Sequence, residues 1–549
     1  MKLYLKFFLL ILLIFDNKII SQPATYASFS PISRDSLKKH ITYLGSDSLA
    51  GRGTGTRGSA LAAQYIADHL KKYNIQPLGD NGTYFQNIPM HGSIPLSESR
   101  LLLFSEGKSQ KLELGKDYLL FKSGAQTFIP QPVPAVFVGY GIIAPEFDYN
   151  DYQNLDVSGK IVVLLSGEPV STDPTYFDGV NPSIYSHPES KQRIAISRGA
   201  LGSIIVPNPN QSTKDWEEWQ QEFAFEDINL AYSVTGQLSV LLNPQKAHLL
   251  FQNSPVSFNK LIQKEASHSL KSFNLPIKFS FWGKFISRDF MEKNVVGLLE
   301  GIDPLLKNSY VLLSAHFDHL GIGLEIKGDS IYNGVFDNAI GDAALLEIAR
   351  AMYNSPEKLK RSVIFLFVTG EEKGLLGSIY YTDHPLRPLY KTIANINIDG
   401  IAMFDTFNDI VGIGAELSSL GSMLEDVSAK MELSVTRTYL EFFGEEAFYR
   451  SDQIAFAQAG IPSILILEGI RYKHLKFEEG IKLQQDWYKN IYHSPFDDLN
   501  QPMNFDAALQ HCNLILSFCR YLCNQSVEPQ WKPRTYYINA RLQSIAEKR

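Results

Sequence analysis

Histidine and carboxylate side chains follow one apolar run near the middle of this 549-residue chain. The run at residues 310–313 leads into His316 and Asp318, and a glycine-rich turn then presents Asp337 just before a helical pattern. Imidazole nitrogens and carboxylate oxygens are ligands that divalent metals such as zinc use in proteins. The stretch therefore predicts a metal site whose remaining ligands must come from elsewhere in the chain.

More side chains of the same two types follow later strand-like runs. The runs at residues 363–368 and 393–398 each end just before acidic residues, and a histidine follows further on. In chain order these side chains are Glu371, Glu372, Asp399 and His493. A single acid at the start of a loop usually caps a helix or faces solvent, but a series of them at consecutive strand ends predicts one shared site.

Strand and helix patterns alternate from about residue 293 onwards. Strands are predicted at 311–315, 362–368, 392–398 and 464–467, and helices at 341–352, 374–381 and 506–523. The alternation predicts an α/β fold in which helices cover both faces of a central sheet. Two helices are also predicted near the start of the chain, at 34–44 and 60–73, the first with Ser33 as its N-cap and Gly45 at its end.

Between about residues 95 and 290 the pattern changes to short β-like runs separated by Gly, Pro and Ser. We interpret this segment as a second, mostly β domain inserted into the first. Its histidines His187, His248 and His268 have no neighbours typical of metal ligands. The segment is therefore expected to be structural or to shape access to the site.

The glycine-rich loop at residues 49–58 resembles a phosphate-binding loop only in composition. It lacks the Gly-Lys-Ser/Thr ending of such loops, and no buried strand pattern precedes it. We interpret it as a flexible or packing loop.

The N-terminus has the features of a signal peptide. A short basic start precedes a continuous apolar run at residues 7–15, which is too short to span a bilayer comfortably. We expect cleavage near Ser21 and export to the periplasm or the extracellular space, with no stable membrane insertion once the signal is removed. An uncleaved N-terminal anchor is the alternative.

Composition narrows the class of protein further. The length predicts two or three domains, and a net charge of -7 with a pI near 6.0 gives no reason to expect nucleic acid as a partner. Cys512, Cys519 and Cys523 fall on successive turns of one helical pattern, where disulfide geometry is unfavourable. They are predicted to be small apolar core residues.

Taken together, the motifs around the candidate ligands resemble those of the co-catalytic zinc aminopeptidases of family M28. The motifs are Ala315-His316-Phe317-Asp318-His319-Leu320-Gly321, Asn333-Gly334-Val335-Phe336-Asp337-Asn338-Ala339, Gly370-Glu371-Glu372-Lys373-Gly374, Asn397-Ile398-Asp399 and Tyr492-His493-Ser494-Pro495-Phe496-Asp497-Asp498. Some family members carry a protease-associated domain before the first ligand, so the resemblance covers nearly all of the chain after the signal.

The resemblance implies a mixed central sheet flanked by helices on both faces, with an inserted, mostly β protease-associated domain. The expected order is a signal peptide at 1–21, the peptidase domain at 22–94 and 291–525 with the insert at 95–290, and a loosely packed C-terminal tail at 526–549.

The resemblance also implies two zinc ions per chain. Five ligands would hold them: one zinc between His316 and Asp399, the other between Glu372 and His493, with Asp337 bridging both. Glu371 would be the general base that activates a metal-bridging water. Asp318 would accept the imidazole N–H of His316 and so fix its tautomer. The implied substrates are peptides, from which N-terminal residues would be removed.

Several nearby residues have alternative interpretations. His319 is an alternative metal ligand, Asp497 and Asp498 are interpreted as capping acids, and Asp342 as an acid in the first turn of a helix. His474 and His511 are interpreted as surface or packing histidines.

The aromatic loop at residues 439–449 would form the wall of an apolar side-chain pocket, with Tyr449 as the candidate substrate contact. Gln453 follows Ser451 and Asp452 where many relatives have a histidine. That difference would affect local substrate contacts rather than the metal ligands.

Three other functions remain open from the sequence. The same zinc pair would also serve a carboxypeptidase or a dipeptidase, and glutaminyl cyclases resemble this family but use one zinc. A non-catalytic, receptor-like ectodomain is the third alternative. The sequence does not indicate the oligomeric state.

Overall fold

A computed structural model describes residues 32–548 apart from 122–126, 174–175, 178, 180–182, 184, 213, 235, 268, 437–446 and 534. The predicted signal peptide and most of the aromatic loop at 439–449 lie outside the described residues. Within the described part of the chain, none of the helices combines the length and the apolar character needed to cross a membrane.

The largest sheet in the described part of the chain is a mixed sheet of ten strands. In order across the sheet its strands are Asp227–Leu230, Phe85–Pro95, Phe285–Leu299, Ser362–Val368, Tyr310–His316, Thr392–Asn397, Ser463–Glu468, Asp409–Ile413 and Ser434–Thr436, and Gln76–Pro77 pairs separately with Phe285–Leu299. The four neighbouring strands from Ser362–Val368 to Ser463–Glu468 run parallel. Parallel strands place their carboxyl ends at one edge of the sheet.

Helices cover both faces of this sheet, so the predicted fold class is confirmed. On one face, helices Arg34–Leu44, Arg57–Lys72, Ile340–Asn354 and Phe505–Asn524 pack over strand residues such as Val311 and Leu313. On the other face, Tyr381 of helix Leu376–Asp383 and Phe456 of helix Gln453–Gln458 pack against Leu312. Burial on both faces explains why these strands are continuous apolar runs in the sequence.

The chain between residues 95 and 285 forms an eight-stranded sheet with its own apolar core. Its strands are Lys108–Leu112, Arg100–Ser105, Phe273–Trp282, Phe128–Phe137, Ile161–Leu165, Gly202–Val206, Leu238–Leu242 and Tyr118–Leu120, in spatial order. The antiparallel strands Phe85–Pro95 and Phe285–Leu299 lead into and out of it. However, Asp227–Leu230 belongs to the edge of the larger sheet. The predicted domain boundaries at 95 and 290 remain a proposal.

Both predicted helices near the start of the chain form, and the second, Arg57–Lys72, begins three residues earlier than predicted because Thr56 caps it. Helix Arg34–Leu44 begins after Ser33, whose side chain accepts a hydrogen bond from the Ser36 N–H, and ends at Gly45. The cysteine prediction is also confirmed, because Cys512, Cys519 and Cys523 are all free and buried within one helix.

The prediction of a loosely packed C-terminal tail is wrong. Trp531 is buried and donates its indole N–H to the Gly460 carbonyl at 2.9 Å. The final helix Ile538–Ala546 follows, and Arg541 within it donates to the Thr392 carbonyl at 3.0 Å. The prediction failed because the segment is polar overall, and the few side chains that pack against the rest of the protein do not form a recognisable pattern.

Trp531 provides a test of this packing. We expect Trp531→Ala to lower the free energy of unfolding by about 3–5 kcal/mol, because a large buried side chain is lost. Trp531→Phe should cost only about 1 kcal/mol, the value of the indole hydrogen bond. Urea unfolding followed by circular dichroism measures both, and changes below about 0.5 kcal/mol in both variants would indicate a loose tail after all.

Candidate metal centre

Four of the candidate side chains come from the carboxyl ends of neighbouring parallel strands. His316 is the last residue of Tyr310–His316, which lies between Ser362–Val368 and Thr392–Asn397. Glu371 and Glu372 follow the first of these neighbours, and Asp399 follows the second. The sheet order therefore brings together residues that are far apart in the sequence.

Asp337 lies between two imidazoles. Its Oδ1 is 3.2 Å from His316 Nε2, and its Oδ2 is 3.1 Å from His493 Nε2. His316 Nε2 is also 3.3 Å from Asp399 Oδ1, and His493 Nε2 is 3.3 Å from Glu372 Oε2. The five predicted ligands thus form two groups of donor atoms that share the Asp337 carboxylate.

His319 is a further imidazole in the same place. Its Nδ1 lies 2.6 Å from Glu372 Oε1, and donor atoms of His319, Asp337 and Glu372 all lie within 4.8 Å of one another. Gly334 has a φ of 59°, and a side chain there would collide with the His319 ring. Each Glu372 oxygen therefore faces one imidazole, and the geometry alone leaves His319 and His493 both within reach of a metal ion.

The carboxylates and imidazoles of this cluster shift one another's pKa values. Burial would raise the pKa of Asp337, but hydrogen bonds from His316 and His493 outweigh it and hold that pKa well below its usual range. Burial would lower the pKa of His493, but the Glu372 carboxylate outweighs it and raises the pKa to about 10. Burial raises the pKa of Glu371 well above its usual range, and neighbouring carboxylates add to the effect. An excess of buried oxygen donors with imidazoles is a donor set that fits zinc.

The structure differs from the prediction for Asp318. His316 Nδ1 lies 3.1 Å from the Asp318 backbone carbonyl, whereas the Asp318 carboxylate is 3.9 Å away and too far for a hydrogen bond. The carboxylate instead accepts hydrogen bonds from the Thr54 hydroxyl and the Glu371 N–H. The backbone of Asp318 thus orients His316, and its side chain holds the main chain of Glu371.

The sequence of residues 294–519 matches the family described as Peptidase family M28, and this segment contains all the predicted ligands, Asp318 and Glu371. Over this segment the chain is similar to peptidase family M28. The match supports the resemblance noted in the sequence, while the protease-associated character of the inserted segment remains a proposal.

Individual relatives agree with this assignment. The chain is 33% identical over 238 residues to a probable leucine aminopeptidase 2 from Aspergillus oryzae, and this match covers 39% of the chain and 42% of the relative. It is 33% identical over 152 residues to endoplasmic reticulum metallopeptidase 1 from Mus musculus, covering 26% of the chain and 15% of the relative. The matches thus span less than half the length of these relatives.

A solved structure shares the fold over most of the chain. The aminopeptidase from Aneurinibacillus sp. strain AM-1 aligns with a TM-score of 0.53 at 19% sequence identity. The alignment covers 92% of this chain and 97% of that protein. At this identity the similarity concerns the fold.

Two side chains to which the sequence did not assign this role fix the backbone around candidate ligands. The Asp497 carboxylate accepts the backbone N–H groups of Phe336 and Asp337 at 2.9 and 3.0 Å. Asn338 donates to the Ile398 carbonyl and accepts the Gly400 N–H, so it holds the backbone on either side of Asp399. Asp497 is therefore a capping acid as predicted, but the segment that it caps carries the shared ligand.

A buried arginine connects the two loops that carry His319 and Asp337. Arg52 donates hydrogen bonds to the carbonyls of Phe317, Asn333 and Gly334 at 2.6 to 2.8 Å, and also to Leu44. The packing interpretation of its glycine-rich loop is confirmed. Its role was missed because no sequence pattern identifies carbonyl partners almost 300 residues away.

Two other histidines of the matched segment, His474 and His511, lie away from the candidate metal centre. His511 is buried, accepts the Ala402 N–H at Nδ1 and lies 3.1 Å from the Ile466 carbonyl at Nε2. His474 lies at the surface beside Asp405. Both agree with the predicted packing and surface roles.

A cavity of about 1020 Å³ opens onto the metal centre. It is lined by Asp337, Glu371, Glu372, Asp399 and His493 together with apolar and aromatic residues. Tyr449 also lines it, and its ring lies 5.8 Å from that of His187, which the inserted segment contributes. A substrate contact by Tyr449 remains a prediction, and Phe442 and Phe443 of the same loop lie outside the described residues.

Asp497 and its neighbour Asp498 offer a matched pair for testing how the centre is held. Asp497→Asn should weaken zinc binding by about 10- to 100-fold, because an amide cannot accept both backbone N–H groups that position Asp337. Asp498→Asn should leave zinc affinity unchanged, since Asp498 bonds only within its own loop. Competition with a zinc chelator measures both affinities, and equal effects would exclude the positioning role.

Proposed function

We propose that the chain is an exported di-zinc metallopeptidase that removes N-terminal residues from peptides. The observation that carries this proposal is the Asp337 carboxylate, each oxygen of which faces a different imidazole. A single carboxylate can give one oxygen to each of two adjacent cations, as co-catalytic sites require.

His316, Asp399 and Asp337 would hold one zinc ion, and Glu372, His493 and Asp337 the other. We choose His493 rather than His319 as the second imidazole because His493 Nε2 approaches both Asp337 Oδ2 and Glu372 Oε2. His319 contacts the other oxygen of Glu372 at 2.6 Å, which suits a residue that orients this carboxylate.

When bound, zinc would polarise the scissile carbonyl and lower the pKa of water in the site. Glu371 is placed to act as the general base, because it lines the cavity and Asp318 holds its backbone. Its raised pKa suits a carboxylate that takes a proton from the attacking water and then gives it to the leaving amine. The water oxygen would bond to the carbonyl carbon while the C–N bond breaks.

The choice of an aminopeptidase rests on the curated relatives named as leucine aminopeptidases and on the apolar lining of the cavity. Carboxypeptidase or dipeptidase specificity on the same zinc pair is the main alternative. The shared position of Asp337 favours two metal ions over the single zinc of a glutaminyl cyclase. A receptor-like ectodomain would not need the complete donor set that the chain retains.

Export and domain organisation remain part of the proposal. The basic start and the apolar run at residues 7–15 support a signal peptide with cleavage near Ser21. The separate core of the eight-stranded sheet supports an inserted, protease-associated-like domain.

Glu371 and Glu372 are adjacent, yet we expect their substitutions to have different effects. Glu371→Gln should keep both zinc ions and lower kcat by at least about 100-fold, because only the proton transfer is lost. Glu372→Gln should lose zinc. Metal analysis and hydrolysis of a leucyl peptide measure both properties, and near-wild-type turnover by Glu371→Gln would show that another group is the base.

Substitutions of His493 and His319 test which of the two imidazoles binds zinc and which only orients Glu372. We expect His493→Ala to bind one zinc per chain, whereas His319→Ala should bind two with lower affinity. Elemental analysis after dialysis gives the stoichiometry. The reverse pattern, with the loss of one ion only in His319→Ala, would make His319 the ligand.

Peptides with free and acetylated N-termini test the aminopeptidase assignment. We expect a free leucyl peptide to be hydrolysed from its N-terminus and the acetylated form to resist, with all activity lost in a chelator. Mass spectrometry of the products identifies the bond that is cut. Release of C-terminal residues from the acetylated peptide would indicate a carboxypeptidase instead.

A further inference from the structure

One part of the cavity wall is polar and comes from residues outside the metal centre. Glu468 and Gln484 both line the cavity that Asp399 and Glu371 line. Strand Ser463–Glu468 runs parallel to Thr392–Asn397, with Leu465 opposite Asn397. Glu468 therefore emerges at the sheet edge that carries Asp399, one strand further along.

Within the part of the chain that the structure describes, Glu468 forms no ion pair. The pKa of Glu468 is raised to about 7. Burial is the main cause and the nearby Asp409 carboxylate adds to it, while a hydrogen bond with Tyr472 partly offsets the rise. Arg193 and Arg450 also line the cavity, but among the described residues no ion pair joins either of them to Glu468. A carboxylate that lines a cavity and is not itself paired with an arginine or lysine offers a place for a cation from the ligand.

Gln484 adds a second acceptor. Its side chain is 4% exposed, and its Nε2 donates to the Gly469 carbonyl at 3.2 Å and to the Tyr472 hydroxyl at 2.9 Å. Because a carbonyl can only accept, the amide nitrogen must face Gly469. The amide oxygen is then left without a hydrogen-bond partner among the described residues. Such a buried acceptor is costly unless a ligand donates to it.

Apolar side chains line the same cavity beside these two acceptors, among them Ile413, Leu465, Leu467 and Trp487. An apolar wall beside two hydrogen-bond acceptors is complementary to an aliphatic chain that ends in a charged donor. Lysine and arginine side chains have this structure.

We propose that Glu468 and Gln484 bind the cationic side chain of a substrate whose N-terminal residue is lysine or arginine. This inference rests on the proposed aminopeptidase function, and it names the substrate class for the same site. Glu468 contributes the charge, and Gln484, fixed by Gly469 and Tyr472, contributes the second acceptor.

The test compares p-nitroanilides of lysine and norleucine, which have side chains of similar length with and without the charge. With zinc-loaded wild-type protein we expect kcat/KM for the lysyl substrate to exceed that for the norleucyl substrate by about tenfold or more. Glu468→Gln should lower the lysyl value by about 10- to 100-fold and change the norleucyl value by less than about twofold. Glu425→Gln removes an exposed acid away from the cavity and should change neither value.

Gln484→Leu provides a second variant that removes the amide oxygen and keeps the charge. It should lower the lysyl value selectively, by about three- to tenfold. A wild-type enzyme that prefers norleucine, or equal losses on both substrates in Glu468→Gln and Gln484→Leu with unchanged zinc content, would overturn the proposal of basic specificity. Absence of hydrolysis of either substrate by a wild-type chain with two zinc ions would instead overturn the aminopeptidase function, and this inference with it.

Discussion

Buried carboxylates cannot be gathered in one place without positive charge to balance them, and this constraint governs the centre of the molecule. The buried carboxylates of Asp318 and Asp337 and the half-buried residues Glu371, Glu372 and Asp399 lie around the imidazoles of His316, His319 and His493. The imidazoles balance only part of this charge. Without bound metal the cluster destabilises the fold, whereas two bound divalent cations would balance its charge. The fold therefore needs many other contacts to hold the cluster in place.

Those contacts are mostly hydrogen bonds to the backbone. Arg52 donates to the loop that follows His316 and to the glycine-rich turn before Asp337. Asp497 accepts the N–H of Asp337, and Asn338 holds the segment around Asp399. The main chain around the candidate ligands Asp337 and Asp399 is therefore fixed by side chains from other parts of the sequence. Rigid positioning of this kind keeps the donor atoms in place whether or not the charge is fully balanced.

The sequence predicted the parts of the structure that depend on local pattern. Apolar runs defined the parallel strands, and the acids and histidines just after them gave His316, Glu371, Glu372 and Asp399 as one site. It could not reveal Arg52 or the free oxygen of Gln484, because their roles depend on partners brought close only by the tertiary fold. The sequence also did not predict that Trp531 anchors the C-terminal segment, because a single buried aromatic residue does not stand out in a polar segment.

The segment between residues 95 and 290 and the C-terminal segment contribute to the cavity from outside the part of the chain that matches family M28. His187 and Arg193 of the inserted segment and Tyr536 and Tyr537 of the C-terminal segment line the cavity beside the metal centre. Three separate parts of the chain thus shape the space in which a substrate would bind. Substrate selection is therefore expected to depend also on residues that lie outside the family segment, in addition to Glu468 and Gln484 within it.

The most direct test of the central claim is the position of zinc itself. Crystals of the zinc-loaded chain, measured at the zinc absorption edge, should show two anomalous peaks about 3.5–4 Å apart, one near each oxygen of Asp337. A single peak, or two peaks that do not share the Asp337 carboxylate, would contradict the account.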